Sequence, residues 1–307
     1  MDIRKPEYIV AIADEGSVTR AAEKLFLTRP ALSHYLLTLE ESLGSPIFRR
    51  TRSGLIPTAA GEIYIRGARQ VLDTVRQTQK ELDDLEGCAA GTLRIGITLG
   101  NGAVMFNRIF PKFHKKFPGF DIQLLETNSH ALKAALIDGN IDFAIMGRST
   151  EMSDLEYISF CQTEIFLLLP KDHPLACMSA PEGQPRTHLD IRLLRDEPFI
   201  MLHPQTVVGE ISERYCRRRG FMPRRLLECS LSNMAYNMVR QGLGPAFVVG
   251  SQISAEDKLP RFSLSPKEYW WISIAYRPGA HFSRAEQYFQ KLVQEYYKEN
   301  APFTYDL

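Results

Sequence analysis

The sequence lacks an excess of charge of either sign. Its 37 lysines and arginines are balanced by 36 aspartates and glutamates, so the formal net charge of the 307 residues is +1. This total gives no chain-wide sign of a nucleic-acid or membrane partner, and binding to a polyanion must come from a local cluster. The charged fraction of 24% and the hydrophobic fraction of 44% are typical of globular proteins and exclude a disordered, collagen-like or fibrous chain. At roughly 100–200 residues per domain, the length predicts two domains.

Long apolar runs are missing as well. No window of about 18 residues is free of charge, so a membrane-spanning helix is not expected. The first twenty residues have no apolar core of the signal-peptide kind, because Asp14 and Glu15 interrupt the short apolar run there. We therefore expect a cytoplasmic protein that has no membrane partner.

Cysteine is scarce and scattered. The five cysteines are far apart and form no C-x-x-C motif, which fits reduced and mostly buried thiols. A redox pair of Cys216 and Cys229 remains an alternative. The histidines and cysteines form no set of three or four at zinc-ligand spacing, so no metal site is expected. A G-x-S-x-G elbow, a Walker A loop and a G-x-G-x-x-G motif are also absent, so neither an enzyme nor a nucleotide cofactor is indicated.

Two short helices are predicted near the start of the chain. Ser17 is a good N-cap for the first helix, and the small Ala21 and Ala22 allow another helix to approach it closely. After a three-residue connection, Thr28 caps the second helix, with Pro30 in its first turn. This spacing is typical of a helix-turn-helix, which binds DNA, but a plain helical hairpin inside a bundle remains an alternative.

The second helix has two different faces. Its predicted buried stripe consists of Leu32, Leu36, Leu39 and Leu43. Small and polar residues dominate the other face, which contains Arg29, Ser33, His34, Leu37 and Thr38. Gly44 ends the helix. A face of this kind is suited to contacting base edges in the major groove.

A short hairpin, or wing, is predicted directly after this helix. Its extended segments are 46–48 and 55–57, with a turn at Ser53-Gly54. Arg49, Arg50 and Arg52 place three guanidinium groups near the tip, where they could contact phosphates beside the helix. A charge run is usually a solvated face, but the neighbouring helix-turn-helix favours phosphate contact. Residues 44–69 contain five arginines and one glutamate, and we call this segment the basic edge. Its local charge of +4 is not visible in the net charge of the whole chain.

One long helix follows, and Thr58 caps it with Glu62 nearby. Its apolar residues recur at alternating spacings of four and three, which predicts a heptad seam. The seam consists of Tyr64, Ala68, Val71, Val75, Thr78, Leu82 and Leu85. Such a stripe needs a partner helix, and dimerisation is the favoured explanation, since two-fold DNA readers need two recognition helices. Packing against its own domain is the alternative.

From Gly91 onward, short β-rich runs alternate with helices, which predicts an α/β structure with ligand loops beyond the strand ends. Strands are expected at 92–97, 120–126 and 141–146, with helices at 103–116 and 129–138. A second lobe starts near Glu164, and the segments 270–276 and 283–299 are expected to return to the first lobe. The Gly-rich loop 98–102 before a helix start is a natural anion site.

Several motifs together resemble the LysR-type transcriptional regulators. They are residues 16–25 (GSVTRAAEKL), 30–33 (PALS), 39–44 (LEESLG), 46–48 (PIF), 57–62 (PTAAGE), 91–96 (GTLRIG), 136–145 (LIDGNIDFAI), 173–176 (HPLA) and 242–246 (GLGPA). The resemblance covers nearly the whole chain. Arg29 stands where the family often has glutamine, and His34 and Tyr35 also depart from the family pattern. Arginine reads guanine bidentately, whereas glutamine favours adenine, so a different base preference is expected.

The resemblance implies an all-α winged helix-turn-helix domain at 1–58, a linker and dimerisation helix at 59–88, and an α/β effector domain at 91–307. This effector domain is two-lobed and similar to periplasmic binding proteins, with lobe I at 91–161 and 267–307 and lobe II at 162–266. The implied function is control of promoters, not catalysis, by a homodimer or homotetramer that binds double-stranded DNA, a small-molecule effector and RNA polymerase. A solute-binding protein and an enzyme using the cleft are the competing hypotheses.

Two sets of site residues are predicted. The DNA-binding set is Ser17, Thr19, Arg20, Thr28, Arg29, Pro30, Ser33, His34, Thr38, Arg49, Arg50 and Arg52. The effector-binding set is Thr98, Gly100, Asn101, Ser129, Arg148, His203 and Thr206. The effector is expected to be an organic anion, and Arg148, just after the third predicted strand, is the expected charge partner of its carboxylate, with a solvated surface position as the alternative. Three of the second set could be ordinary N-caps, and Gln205 or Val207 could replace the loop residues at 203 and 206.

Overall fold

A computed structural model describes residues 4–52, 54–86, 90–149, 154–181 and 184–300. The side chains at positions 4, 86, 101, 255 and 300 also lie outside this description, as do the predicted turn residue Ser53 and one of the five cysteines, Cys88. The chain divides into two compact units, residues 1–88 and 89–307.

Unit 1 contains a helix-turn-helix, a two-stranded hairpin and a long helix. Its elements are α1 (Arg4–Glu15), α2 (Val18–Lys24), α3 (Arg29–Leu43), β1 (Phe48–Thr51), β2 (Gly54–Pro57) and α4 (Ala59–Glu86). The strands pair antiparallel, with Arg49 opposite Ile56 and Arg50 opposite Leu55. The core lies between α1, α2, α3 and the start of α4, where Ile9, Ile12 and Leu32 are fully buried. The predicted wing is therefore present in the structure.

The stripe on α3 is shorter than the leucine spacing predicts. Leu32 and Leu36 are buried and Leu39 is half-buried, but Leu43 is 47% exposed. The reason is the helix end: Gly44 adopts a left-handed conformation with φ +64°, and the chain turns away before the last turn can pack. The expectation that Leu43 completes the buried stripe is wrong.

The two ends of the seam on α4 lie in different environments, one packed and one exposed. At its start, Ala68 is buried and Tyr64 packs against the core of unit 1, so this part of the helix packs on its own unit. Farther along, Leu82 is 49% exposed and Leu85 is 84% exposed. Packing within the unit, the alternative considered for the whole helix, thus applies to the first turns. The apolar positions near the end of α4 are uncovered.

Unit 2 is an α/β domain built on one mixed sheet. Its elements are β3 (Ala90–Thr98), α5 (Asn101–Lys116), β4 (Gly119–Thr127), α6 (Ser129–Ile137), β5 (Phe143–Arg148), β6 (Glu156–Leu168), β7 (Pro198–Leu202), α7 (Val207–Arg218), β8 (Arg224–Cys229), α8 (Ser232–Arg240), β9 (Ala246–Val249), β10 (Arg261–Ser263), β11 (Tyr269–Tyr276) and α9 (Arg284–Asn300). The strand order is β4-β3-β5-β11-β6-β9-β7-β8, with β10 paired to β6. The pairs β3–β4, β3–β5, β7–β8 and β7–β9 are parallel.

The thirteen-residue strand β6 joins the two halves of the sheet. Its first part pairs antiparallel with β11, and its last four residues pair antiparallel with β9. β11 in turn pairs with β5, which shows the expected return of the chain to the first half. The lobe boundary expected at 161/162 falls inside this strand, and the change of pairing partner from β11 to β9 lies between Glu164 and Ile165.

Two main cores cover the sheet. One contains the aromatic residues Phe113, Phe143 and Phe289, where α5 and α9 pack on β3 and β5. The other contains residues such as Phe199 and Phe247, where α7 and α8 pack on the second half. Between these cores, the carboxyl ends of the parallel strands and the starts of the following helices meet.

Candidate functional site

The caps of α2 and α3 fix the exposed surface of the helix-turn-helix. The Ser17 hydroxyl accepts a hydrogen bond from the backbone N–H of Arg20 at 3.4 Å, and the Thr28 hydroxyl accepts one from Ala31 at the same distance. Ala21 and Ala22 are buried, as expected for a close approach of the two helices. α3 is therefore anchored at its first turn, and its outer face points to solvent.

The polar face of α3 is open. Arg29, Pro30, His34 and Thr38 are exposed, and Ser33 is half-buried. The Thr38 hydroxyl donates to the backbone oxygen of His34 at 3.0 Å, so it is partly engaged within the helix. This face can offer guanidinium, imidazole and hydroxyl groups to a ligand.

The wing carries uncompensated positive charge. Arg49, Arg50 and Arg52 are exposed, and within the described residues neither they nor Arg29 form an ion pair. Thr51, between them, is half-buried and its hydroxyl donates to the backbone oxygen of Gly54 at 2.9 Å. Exposed arginines without carboxylate partners can bind phosphate groups bidentately.

Polar contacts hold the wing beside α3. One carboxylate oxygen of Glu40, on α3, accepts from the backbone N–H of Ile47 at 2.7 Å and of Phe48 at 3.2 Å. At the other end, the backbone N–H of Leu55 donates to the oxygen of Gly16 at 2.8 Å. Gly54 has φ +125°, and a Cβ there would lie 2.7 Å from the same oxygen. The hairpin is thus attached both to α3 and to the turn before α2.

Two other arginines of unit 1 have partners, Arg69 of the basic edge and Arg20 of α2. Arg69 forms an ion pair of 2.5 Å with Asp14, which joins α4 to α1. Arg20 donates to the backbone oxygen of Glu15 and lies 3.8 Å from its carboxylate. The same carboxylate bonds Lys24 at 2.9 Å and raises the pKa of that amine above its ordinary value. In the described part of unit 1, the exposed arginines without an ion pair are therefore the three wing arginines, Arg29 and Arg66.

Unit 2 contains a cavity of about 380 Å³ where strand ends and helix starts meet. Its lining combines uncharged polar side chains with leucine, valine and one tryptophan. The lining residues are Thr98, Leu99, Gly100, Val104, Thr127, Asn128, Ser129, Gly147, Leu202, His203, Gln205, Thr206, Val207, Val208, Ser230, Leu231, Ser232, Asn233, Val249, Gln252 and Trp270. This volume is within the range of small-molecule sites, as is the mixture of apolar walls and a few polar groups.

Most of the predicted effector residues lie in this lining. Thr98, Gly100, Ser129, His203 and Thr206 all contribute to it. The backbone at position 101 begins α5, but its side chain is outside the described residues. Both proposed replacements, at 205 and 207, line the cavity too.

Arg148 lies outside the lining of this cavity, so the structure gives no support to the predicted contact between its guanidinium and a ligand there. It is the last residue of β5, and side chains alternate faces along a strand. The preceding residue, Gly147, faces the cavity, which turns Arg148 to the opposite side of the sheet. There its guanidinium donates to the hydroxyls of Ser159 at 2.9 Å and Ser273 at 3.2 Å, and its centre lies 5.5 Å from the Trp271 ring.

Four helix N-termini converge on the cavity. The N-cap residues of α5, α6, α7 and α8 are Gly100, Asn128, Thr206 and Leu231, and all four belong to the lining. Asn128 and Thr206 cap their own helices through side-chain oxygens, at 2.9 and 3.1 Å, whereas Gly100 and Leu231 provide no side-chain cap. The cap of α6 is therefore Asn128, not the predicted Ser129. The starts of α5 and α8 leave N–H groups for a ligand.

Sequence reasoning missed several lining residues. Asn128 could have been found as the asparagine directly before a helical pattern. Ser232, Gln252 and Trp270 had no comparable signal, because they come from distant parts of the chain that only the folded sheet brings together. Ser232 Oγ and Gln252 Oε1 are buried without a hydrogen-bond partner in the described part of the chain.

No group of three or more His, Cys, Asp or Glu side chains in the described ranges is placed to hold a metal ion. The described cysteines, Cys161, Cys177, Cys216 and Cys229, are free thiols, and burial raises the pKa of Cys216 to about 12. None of the described helices has the length and apolarity needed to span a membrane.

Comparison with known proteins assigns a family to both units. Residues 3–62 match the family model of the bacterial regulatory helix-turn-helix protein, lysR family, and residues 87–298 match that of the LysR substrate binding domain. The chain is 30% identical over 306 residues to a probable RuBisCO transcriptional regulator of Emiliania huxleyi, covering 96% of this chain and 95% of that protein. It is 30% identical over 290 residues to the HTH-type transcriptional regulator AlsR of Bacillus subtilis (strain 168), covering 92% of each.

Solved structures share the fold. A full-length cysteine variant of OxyR from Pseudomonas aeruginosa superposes with a TM-score of 0.65 at 23% identity, covering 96% of this chain and 94% of that one. Full-length CbnR complexed with its target DNA gives a TM-score of 0.52 at 17% identity, covering 96% and 99%. The two named relatives are transcriptional regulators and not enzymes. With family models matched in both units, the chain belongs to the LysR family of DNA-binding, effector-responsive transcriptional regulators.

Proposed function

We propose that this regulator binds promoter DNA as a homodimer or homotetramer through α3 and the wing, and that an organic anion in the unit 2 cavity controls this binding. The observation that carries the DNA part is the open face of α3 beside three exposed arginines without ion-pair partners in the described residues. The solved CbnR complex, a fold relative bound to its target DNA, supports the same role for this unit.

The two parts of the interface have different tasks in this proposal. Arg29, Ser33 and His34 read base edges, because the first turns of a recognition helix enter the major groove. The wing arginines contact phosphates, which gives affinity without sequence preference. The proposed contacts to the sugar-phosphate backbone of the DNA beside these bases come from Ser17, Thr19, Arg20, Thr28, Pro30 and Thr38. The capping hydroxyls accept within the helices and can still donate their own protons to phosphate.

Dimerisation is proposed to use the uncovered part of α4. Leu82 and Leu85 are exposed there, and Val75 is half-buried. Pairing two such helices covers these side chains and brings two copies of α3 onto one duplex, at half-sites about 34–36 Å apart. RNA polymerase is the proposed further partner at the promoter, and the cytoplasm, where bacterial DNA lies, is the proposed location.

The proposed effector is an organic anion, held without a charged side chain. The described residues that line the cavity include no Lys, Arg, Asp or Glu, and the one histidine, His203, lies 3.7 Å from the carboxylate of Glu228. An anion would therefore be bound by backbone N–H groups at the helix starts, above all those of α5 and α8. The partnerless Ser232 hydroxyl and Gln252 oxygen fit a ligand that also has a hydroxyl group, and Trp270 offers a flat apolar wall. A small hydroxy acid with an apolar body meets all three conditions.

Binding in the cavity is proposed to shift the populations of states that hold the two DNA-binding units in different arrangements. The effector then changes promoter contact by its different affinity for those states. DNA fragments selected by the protein from a genomic library, with and without a metabolite library, would supply both the target sequence and a first group of effectors. A gel shift that shows no preference for any fragment over random competitor would contradict the proposed DNA role.

Variants separate the two tasks of the DNA interface. We expect Arg50→Ala and Arg52→Ala to weaken binding to every duplex and to reduce the salt slope by about one unit each. Arg29→Ala should instead change the preferred base. Arg195→Ala, which removes an exposed arginine of unit 2, is the matched control and should change neither. If the wing variants altered sequence preference alone, the assigned roles would be wrong.

The charge of the effector is tested with matched pairs of carboxylic acids and their primary amides. Trp270 fluorescence would report occupation of the cavity, because its indole forms part of the wall. We expect each acid to bind at least tenfold more tightly than its amide, because helix N-termini favour a negative charge. Equal binding of acid and amide would contradict an anion site.

A further inference from the structure

Phe26 occupies an unusual position in the turn between α2 and α3. Its backbone has φ +55°, a left-handed conformation that is unfavourable for a bulky L-residue. Its side chain is 97% exposed, so the ring is almost completely in water. Asparagine or glycine would adopt this backbone at lower cost, and neither would expose an aromatic ring.

The fold gains nothing from this ring. The neighbouring Leu25 and Leu27 pack against the core of unit 1, whereas Phe26 does not. The turn is held by backbone hydrogen bonds, from Phe26 N–H to the oxygen of Glu23 at 3.2 Å and from Leu27 N–H to that of Ala22 at 2.8 Å. These bonds need no particular side chain at position 26. A strained and exposed residue that does not stabilise its own fold points to a functional contact.

The position of Phe26 in the chain places it at the end of α3 that carries the open polar face. It precedes the N-cap Thr28 by two residues, and the exposed Arg29 and Pro30 follow directly. A second exposed apolar residue, Leu37, lies farther along the same face and is 57% exposed. Apolar side chains thus border the polar groups on this surface.

We propose that the Phe26 ring packs on an apolar part of the DNA, a thymine methyl group or a deoxyribose, beside the bases that α3 reads. This inference rests on the proposed DNA-binding role of α3. Thymine methyls are the apolar feature of the major groove and are known partners of phenylalanine. The contact removes the ring from water only in the complex, so it contributes to DNA affinity and not to folding.

The test measures binding of the full-length protein to one duplex selected as above, by fluorescence anisotropy. Phe26→Asn keeps a residue that tolerates the turn but removes the ring, and we expect five- to tenfold weaker binding with an unchanged salt slope. Phe26→Leu should recover most of the affinity. Leu193→Asn, which replaces an exposed leucine of unit 2, is the matched control and should bind as the unmodified protein does. Phe26→Gly gives a second variant suited to the turn, and unfolding of each variant checks that the fold is intact.

Duplexes with deoxyuridine in place of thymidine distinguish the two sources of the apolar contact. If the ring packs on a thymine methyl, this replacement weakens binding of the unmodified protein and has no effect on Phe26→Asn. If it packs on deoxyribose, the replacement has no effect on either protein, but Phe26→Asn remains weaker. Binding of Phe26→Asn and Phe26→Gly within twofold of the unmodified protein on both duplexes would overturn the inference. In that case a weakened Arg50→Ala would leave the DNA-binding proposal standing, and an unweakened one would contradict it as well.

Discussion

Removing the carboxylate of Glu40 should loosen the wing while leaving unit 2 unchanged. This side chain accepts hydrogen bonds from two consecutive backbone groups, Ile47 N–H at 2.7 Å and Phe48 N–H at 3.2 Å. Both residues are buried, so in Glu40→Ala their N–H groups would have no replacement partner of the same geometry. The chain between α3 and β1 would lose its attachment to the helix.

The size of the effect follows from the two unpaired donors. A buried polar group without a partner costs about 1–3 kcal/mol, and Glu40 is half-buried, so water can reach part of the site. We therefore expect Glu40→Ala to lower the free energy of opening of this segment by about 2–4 kcal/mol, or roughly 30- to 700-fold in the opening equilibrium. Glu40→Gln keeps a neutral acceptor in place and should lose about half as much, since charge-assisted hydrogen bonds are about twice as strong as neutral ones.

Amide hydrogen exchange followed by mass spectrometry measures this directly. Peptides covering residues 44–57 should exchange faster in the order unmodified protein, Glu40→Gln, Glu40→Ala. Peptides from β6 and β11 in unit 2 serve as the internal control and should not change. Exchange of the 44–57 peptides within threefold of the unmodified protein in Glu40→Ala would refute the assignment of Glu40 as the residue that holds the wing.

Three further outcomes are expected. Aspartate in place of Val75 or Leu82 should dissociate the oligomer, because it would bury charge in the proposed helix pairing; an unchanged sedimentation mass would refute the heptad seam. Gly147→Ala should displace the Trp270 indole, which occupies the space that a Cβ would need, and should shift Trp fluorescence and weaken acid binding; an unaltered spectrum would contradict the tight fit. Because burial raises the pKa of Cys216 to about 12, its contribution to stability is present below the ordinary thiol pKa near 9 and is lost as the pH rises toward 12. In Cys216→Ala, the midpoint of chemical denaturation should therefore fall less steeply with pH between about 9 and 12 than in the unmodified protein. An equal fall in both proteins would count against the raised pKa of Cys216.

Much of unit 1 could be predicted from the sequence, because local chemistry fixes it. Thr28, Gly44 and Thr58 act as caps where their side chains or φ angles suggest, and the wing pairs around the predicted turn. Leu43 was misplaced because periodicity does not say where a helix leaves the core. The sequence could not show which part of the seam on α4 packs on its own unit and which part is left for a partner, since an apolar stripe has the same spacing in both cases.

The cavity was less predictable, because its walls come from distant segments. Strand ends and helix starts gave five of the lining residues correctly, from Thr98 to Thr206. Arg148 shows the limit of this reasoning. The predicted strand ends at residue 146, two residues before the observed end of β5, so Arg148 is predicted in a loop and the face of the sheet on which it lies could not be predicted. Trp270 belongs to the last strand in the chain and enters the wall only because β11 is inserted between β5 and β6.

The registers of β6 determine where the two lobes can move against each other. Its ladder with β11 ends at Glu164 and its ladder with β9 begins at Ile165, so both lobes are built on one strand but their ladders meet at this junction without overlapping. A bend or twist of the strand at this junction keeps both sets of backbone hydrogen bonds. The register shift between Ile272 and Ser273 supplies a local irregularity of the kind that increases strand twist, and it lies beside the strand that carries Gly147 at the cavity wall. A rotation of one lobe against the other at the Glu164–Ile165 junction is therefore the motion that costs the sheet the fewest backbone hydrogen bonds.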